Sequence, residues 1–319
     1  MKKKFGKVTR VIFGIIAITI IYYVSLVIMD VLEWENFKLL VKSGTTNTQD
    51  IAEISFIDMH WHAKAAGAIY EDDSVILSVC QQRYTTCYIH DEEDIANRFF
   101  LGTNAETKEH LISIRGTANL KNILLDLEFL HEVDPFLGIP LHRGFAKAAR
   151  EVLTDIRPLL IKDYKIRING HSLGGGEAVV LSMLLEHEGF DVIQVITFGQ
   201  PKVTNQIGID KFSDKIPLHR VVHAHDPIPT VPPIELIYGR DRFRHFGNET
   251  IILKDAYYTF LPGHIAKHPL ATSFWMGLKS QNFMDELLAH RMSAYMQDLE
   301  PKLKNAISVP FEDRDKYLQ

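Results

Sequence analysis

Cysteine is scarce: Cys80 and Cys87 are the only two in 319 residues. That excludes a small fold held together by several disulfides, and one short-loop bridge is the most the chain can make, in an oxidising compartment. Metal-ligand clusters are missing too. His60 and His62 stand at i,i+2 and point to different faces of a helix, and no acidic loop has a calcium-binding pattern. The sequence therefore asks for no metal and no cofactor. It shows no internal repeat and no block of like charges of the kind that forms a binding tail. A basic body is also lacking. Lys2, Lys3, Lys4, Lys7 and Arg10 place five positive charges in the first ten residues, leaving 30 basic against 40 acidic residues in the rest, a net charge of −10. Such a body speaks against nucleic acid as a partner. Asn248-Glu249-Thr250 is a glycosylation sequon in a eukaryote and has no meaning in most bacteria.

What is present is ordinary globular composition, 46% hydrophobic and 24% charged, with one long apolar run. Residues 11–29, VIFGIIAITIIYYVSLVIM, contain no charge. As a helix they reach roughly 28 Å, close to the ~30 Å hydrocarbon core of a bilayer. The run is too long for a signal-peptide core, and no small-residue cleavage site follows it. An uncleaved single-pass anchor is expected, with the basic flank cytoplasmic and the body on the non-cytoplasmic side. The expected organisation is flank and anchor over 1–30, a linker and leading helix over 31–70, a catalytic domain over 71–310 and a tail over 311–319.

Along the body, 74–79, 97–103 and 109–117 read as strands, the last two joined by a turn at NAETKE. Residues 141–160 have helical periodicity. Strand 164–169, a helix to about 187, and strands 191–199 and 219–225 follow, then a final helical stretch over roughly 283–304. Strands alternating with helices imply an α/β fold, a mostly parallel sheet covered on both faces.

At the junction of strand 164–169 and its helix lies NGHSLGGGEA. Gly170-His171-Ser172-Leu173-Gly174 is a G-x-S-x-G turn in the strand-to-helix context that this motif requires. Turning so sharply strains the serine backbone. Side chains at Gly170 and Gly174 would collide with neighbouring elements. The turn exposes the Ser172 hydroxyl and places the Leu173 amide at a helix N-terminus, where negative charge is favoured. A serine hydroxyl needs a base held by an acid, in the chain order Ser, Asp or Glu, His. Asp226 ends strand 219–225 just before a proline, at the same sheet edge as Ser172. Four histidines follow it: His245, His264, His268 and His290. The residues alone do not choose among them.

Four segments together resemble the class 3 lipases, the fungal-lipase-like branch of the α/β-hydrolases: ISIRGT (112–117) with the following ANLKNILLDL, LHRGF (141–145), the GHSLGG elbow, and TFGQPKVTN with RVVHAHDPIPTVPP. The resemblance covers about 109–300. It implies an α/β-hydrolase fold and puts Asp226 at the acid position. FRHFGNETII resembles a non-catalytic His-x-Gly stretch on a late strand, which gives His245 a structural role. AHRMSAY resembles the stretch carrying the base, which assigns His290. It also implies that Thr117 joins Leu173 in the oxyanion hole, and that EFLHEVDPFLGIP (128–140) lies where the family carries its lid. Asn122-Ile123 departs from the Asp-Trp pair often found there. The implied activity is hydrolysis of lipid esters, acylglycerol or phospholipid, by a membrane-anchored enzyme with a Ser172–Asp226–His290 triad and an acyl-enzyme intermediate. An acyltransferase or a non-lipid carboxylesterase would use the same fold, and a non-enzymatic tethered binding module is a third reading. Labelling by a fluorophosphonate separates the enzymes from the last.

Overall fold

The computed structural model describes residues 32, 35–39, 55–90, 98–116, 131–231, 243–266 and 288–318. The chain divides into two units, Met1–Thr48 and Gln49–Gln319. In the first, the described residues are helical, and Lys38 pairs with Glu35 at 2.6 Å. The apolar run 11–29 lies outside the described residues. Among the residues described, no helix is long and apolar enough to cross a membrane.

Among the described residues, the second unit is built on a nine-stranded sheet. Strands β1 (Thr86–His90), β2 (Phe99–Asn104) and β3 (Glu109–Ile114) form an antiparallel meander at one edge. Next to β3 come β6 (Lys165–His171), β7 (Asp191–Phe198), β8 (Leu218–His223) and β9 (Asn248–Ile252), all parallel. β10 (Tyr257–Leu261) pairs antiparallel with β9, and β11 (Ile307–Ser308) closes the other edge. A two-stranded hairpin, β4 (His131–Val133) and β5 (Pro140–His142), stands apart.

Central strands buried on both faces need helices on both. One layer holds α3 (Arg143–Ile156), α4 (Leu173–His187) and α5 (Gln206–Phe212). Val152, Ile156, Val179, Leu181 and Phe212 join Ile112, Ile168 and Val195 of the sheet in one core. On the other face, α1 (Phe56–Ala68) and α7 (Met292–Leu299) pack Met59, Ala63, Tyr295 and Leu299 against Ile196, Phe198 and Val221. The short helix α6 (Gly263–Ala266) follows β10.

One expectation needs correction. Residues 74–79, expected as a strand, lie in helix α2 (Asp73–Cys80). Its buried residues Ile76, Val79 and Cys80 fall at i, i+3 and i+4, so the β-branched run is one helical face, and Asp72-Asp73 supply the cap position and first-turn charge that favour a helix start. The aromatic stretch 257–261 is strand β10, with Tyr258 and Leu261 buried in the sheet. In the segment that lies where the family carries its lid, residues 131–140 form a hairpin tied to the body. Asp134 accepts from the amides of Phe136 and Leu137 and pairs with Arg150, while Leu137, Ile139 and Leu141 lie in the core. Burial pushes the Asp134 carboxyl up, but these donors outweigh it and hold the pKa below the usual value. Val133 and Phe136 are the hairpin's exposed large apolar side chains. Residues 128–130 lie outside the described residues.

Cys80 and Cys87 form a disulfide between the end of α2 and β1. Residues 311–317 form a 3₁₀ helix with Phe311 and Arg314 buried, so this tail is packed against the body.

Candidate active site

The elbow follows from steric necessity. Ser172 has φ +59° and ψ −129°, a conformation L-residues rarely adopt. A Cβ on Gly170 would overlap the Gly174 carbonyl, and one on Gly174 would lie 2.5 Å from the Ile114 carbonyl oxygen. Both positions therefore need glycine. The Ser172 amide donates to the Phe198 carbonyl at 2.9 Å, which ties the turn to the end of β7. Leu173 begins α4, so its amide is one of the donors a helix start leaves without an intrahelical acceptor. Thr117 lies outside the described residues. Gly116 just before it packs on the elbow: a Cβ there would be 2.8 Å from the Ser172 Cβ.

Asp226 sits in the turn after β8, fully enclosed. Its Oδ1 accepts from the Ile228 amide at 2.8 Å. Its Oδ2 accepts from His290 Nδ1 at 2.7 Å and from the Tyr295 hydroxyl at 2.6 Å. Burial alone would raise this carboxyl. The His290 charge and the three donors overcome that and hold its pKa below the usual carboxylate value. Tyr295 in turn accepts from the His223 amide at 3.0 Å, so its proton points at the acid.

His290 lies just before α7, 0% exposed, and its ring packs on that of His171 with centroids 4.6 Å apart. Its Nε2 and the Ser172 Oγ are both buried without a hydrogen-bond partner. Two of the other three candidate bases stand elsewhere. His245 is bonded through Nε2 to the Pro229 carbonyl at 2.7 Å. Burial, reinforced by Arg220 and Lys202, keeps it neutral. His264 lines a separate 550 Å³ cavity with Ser213, Asp214 and His219, at the end of the sheet where β8 begins. His268 lies outside the described residues.

The structure thus brings Asp226 and His290 into contact across 64 residues and seats His290 beside the elbow that carries Ser172. It also adds two groups that residue patterns did not single out. Tyr295 was present in the AHRMSAY stretch, but its bond to Asp226 joins separate elements. Gly199, at φ +56°, is so close that a Cβ would fall 2.5 Å from Asp226 Oδ2 and 2.8 Å from His290 Cε1. A buried carboxylate holding one imidazole nitrogen, with the other nitrogen unpartnered near a strained serine, can activate a hydroxyl nucleophile.

Residues 111–236 match the class 3 lipase family. A secreted mono- and diacylglycerol lipase of Fusarium solani is 30% identical over 158 residues, 47% of this chain and 46% of its own. A Rhizopus niveus lipase is 29% identical over 149 residues, 43% and 38% of the two chains. The aligned stretch spans less than half the length of these curated relatives. In fold, the chain is similar to the mono- and diacylglycerol lipase from Aspergillus oryzae, with a TM-score of 0.59 at 21% identity over 76% of this chain and 99% of that one. A Yarrowia lipolytica lipase gives 0.54 at 18% identity over 74% and 92%. The segment 111–236 is thus similar to the class 3 lipases, and it is carried on an α/β-hydrolase fold.

Proposed function

We infer that this protein hydrolyses carboxylic ester bonds of lipids, acylglycerols or phospholipids, through an acyl-enzyme on Ser172. The observation that carries the reading is the buried Asp226–His290 pair, whose imidazole ring packs on His171 of the elbow and whose Nε2 has no hydrogen-bond partner. Ser172 Oγ attacks the ester carbonyl while His290 Nε2 takes its proton. Asp226 keeps the proton on Nδ1 and stabilises the imidazolium. The same proton passes to the leaving alcohol, and the acyl-enzyme remains. Water then repeats the sequence and regenerates the serine. The amides of Leu173 and Thr117, with the Thr117 hydroxyl, hold the oxyanion; loss of one such donor typically costs ~2.7–4 kcal/mol of transition-state stabilisation.

Lipid as substrate is supported by the names of the relatives, which are lipases and, where their names specify, mono- and diacylglycerol lipases, and by the apolar run 11–29. In this reading that run anchors the protein to a membrane and the body faces its non-cytoplasmic side. Five basic residues precede the run, against Lys38 and Lys42 close behind it. Protease added to the non-cytoplasmic side of sealed vesicles would then digest the body, and protection there would reverse the topology.

The function is tested with full-length protein in detergent, using a fluorophosphonate probe and a panel of mono-, di- and triacylglycerols and phospholipids. Labelling at Ser172 and loss of about 10⁶-fold in turnover on Ser172→Ala are expected, by analogy with serine hydrolases. Near-wild-type hydrolysis by Ser172→Ala would remove Ser172 as nucleophile.

A further inference from the structure

His171 stands immediately before Ser172 and takes no part in the acyl transfer set out above, yet both its ring nitrogens are engaged. Nε2 is 2.6 Å from the backbone carbonyl oxygen of His290, and Nδ1 is 2.8 Å from the hydroxyl of Tyr70. A carbonyl only accepts, so Nε2 carries the proton. Nδ1 is then a lone pair, and the Tyr70 hydroxyl must donate to it. The Tyr70 oxygen in turn accepts from the Gly116 amide at 3.0 Å. Every donor in this chain has one possible direction. Burial, helped by the charge of His290, pulls His171 down to about 3, so the ring stays neutral in a single tautomer.

The two ends of the chain are the two sides of the site. One is the backbone of His290. The other is the end of β3, which packs on the elbow and leads directly to Thr117. Tyr70 itself is clamped. Arg98 donates to the carbonyl of Glu71 at 2.7 Å and pairs with Asp73 at 2.5 Å, while its own carbonyl accepts from the Arg115 amide at 2.9 Å.

We propose that Tyr70, supplied by the segment after α1 and outside the stretch that matches the family, is a positioning residue for this acyl transfer, holding the His290 backbone through His171 and the end of β3 through Gly116. The proposal rests on the hydrolase reading, because it concerns the placement of that reaction's base. Small displacements of a catalytic group are costly in rate. Loss of the Tyr70 hydroxyl leaves the His171 lone pair and the Gly116 amide without their partner.

The test uses full-length protein in detergent and a soluble short-chain ester. In Tyr70→Phe, kcat should fall about 10-fold or more while KM changes less than about twofold, and phosphonylation of Ser172 should slow in parallel. His171→Leu should lose at least as much, and adding Tyr70→Phe to it should cost less than a further twofold. His171→Gln keeps one donor and one acceptor, so it should retain about 10-fold more activity than His171→Leu. This comparison needs no change at Tyr70 and covers the case in which Tyr70→Phe folds poorly. In ¹⁵N-histidine spectra, Tyr70→Phe should move the His171 Nδ1 signal toward that of a free imine nitrogen, with Nε2 still protonated. Unchanged kcat in Tyr70→Phe, independent losses at the two positions, or equal activity of the Gln and Leu variants would each overturn the proposal. A wild-type protein that neither hydrolyses esters nor reacts with the probe would instead overturn the hydrolase reading, and the positioning role with it.

Discussion

Gly199 has almost no room beside the acid. Its φ of +56° lies in the left-handed region, and a methyl group there would fall 2.5 Å from Asp226 Oδ2 and 2.9 Å from His290 Nδ1. Those two atoms are the ends of the 2.7 Å bond that orients the base. Gly199→Ala must therefore strain the backbone or push the acid and base apart. A stability loss of about 1 kcal/mol follows from the backbone alone. The rate loss should be larger, about 100-fold in kcat, because the base would be misplaced. Paired Tm and steady-state measurements decide it: full kcat in Gly199→Ala would show that Asp226 and His290 are not arranged this way during turnover. Nothing in TFGQPKVTN marks this glycine as different from a turn glycine. Its constraint comes from a histidine 91 positions later.

Helix α4 shows what an element can hide. Its sequence looks like a uniform apolar helix after the elbow, yet Glu177 lies one turn in, 7% exposed, with Oε2 unbonded. Burial, with the nearby charge of Glu151, raises its pKa to about 8. The folded state holds the protonated acid, whereas the unfolded chain ionises above about 4.5. The resulting stability is complete below that value and is lost as pH rises through 8, by about 1.4 kcal/mol per pH unit in between at most. Glu177→Gln removes the ionisation and keeps the shape. Its Tm should match wild type near pH 4.5 and exceed it progressively up to pH 8. A constant difference across that range would mean that the carboxyl finds a partner or water. Helical spacing was readable here but was missed at 74–79, where i, i+3, i+4 burial won over β-branched composition. Whether Glu177 is buried depends on α3, which the local pattern does not contain.

Across the whole molecule, burial of neutral histidines sets the acid limit. His62 and His110 are lowered to about 4, His171 and His219 to about 3, and His245 well below its usual value, in each case chiefly by burial. All five are 4% exposed or less. Unfolded, they bind protons below about 6.5. Their contribution is therefore complete above 6.5 and falls as pH drops toward 4, each by up to about 1.4 kcal/mol per pH unit; Glu177 offsets one of the five. Tm should drop steeply from pH 6.5 to 4.5, with net proton uptake on unfolding measurable by calorimetry in two buffers. A flat profile over that range would show that these rings are not held neutral.

The sequence alone determined the features that depend on near neighbours. The elbow glycines, the apolar run 11–29 and the alternation of strands with helices are all settled within a few residues, because local steric and solvation terms set backbone angles and periodicity. The position of Asp226 was readable for the same reason, since it ends a strand ahead of a proline. The resemblance of AHRMSAY names His290 as the base, but only the tertiary structure decided that it reaches Asp226, that Tyr295 and Gly199 shape the acid, that Tyr70 reaches His171 across 101 residues, and that the hairpin at 131–140 is pinned in the core. Those contacts join elements far apart in the chain. Which side chains meet there depends on the order of the strands in the sheet and on the helices packed over them, which no local pattern encodes.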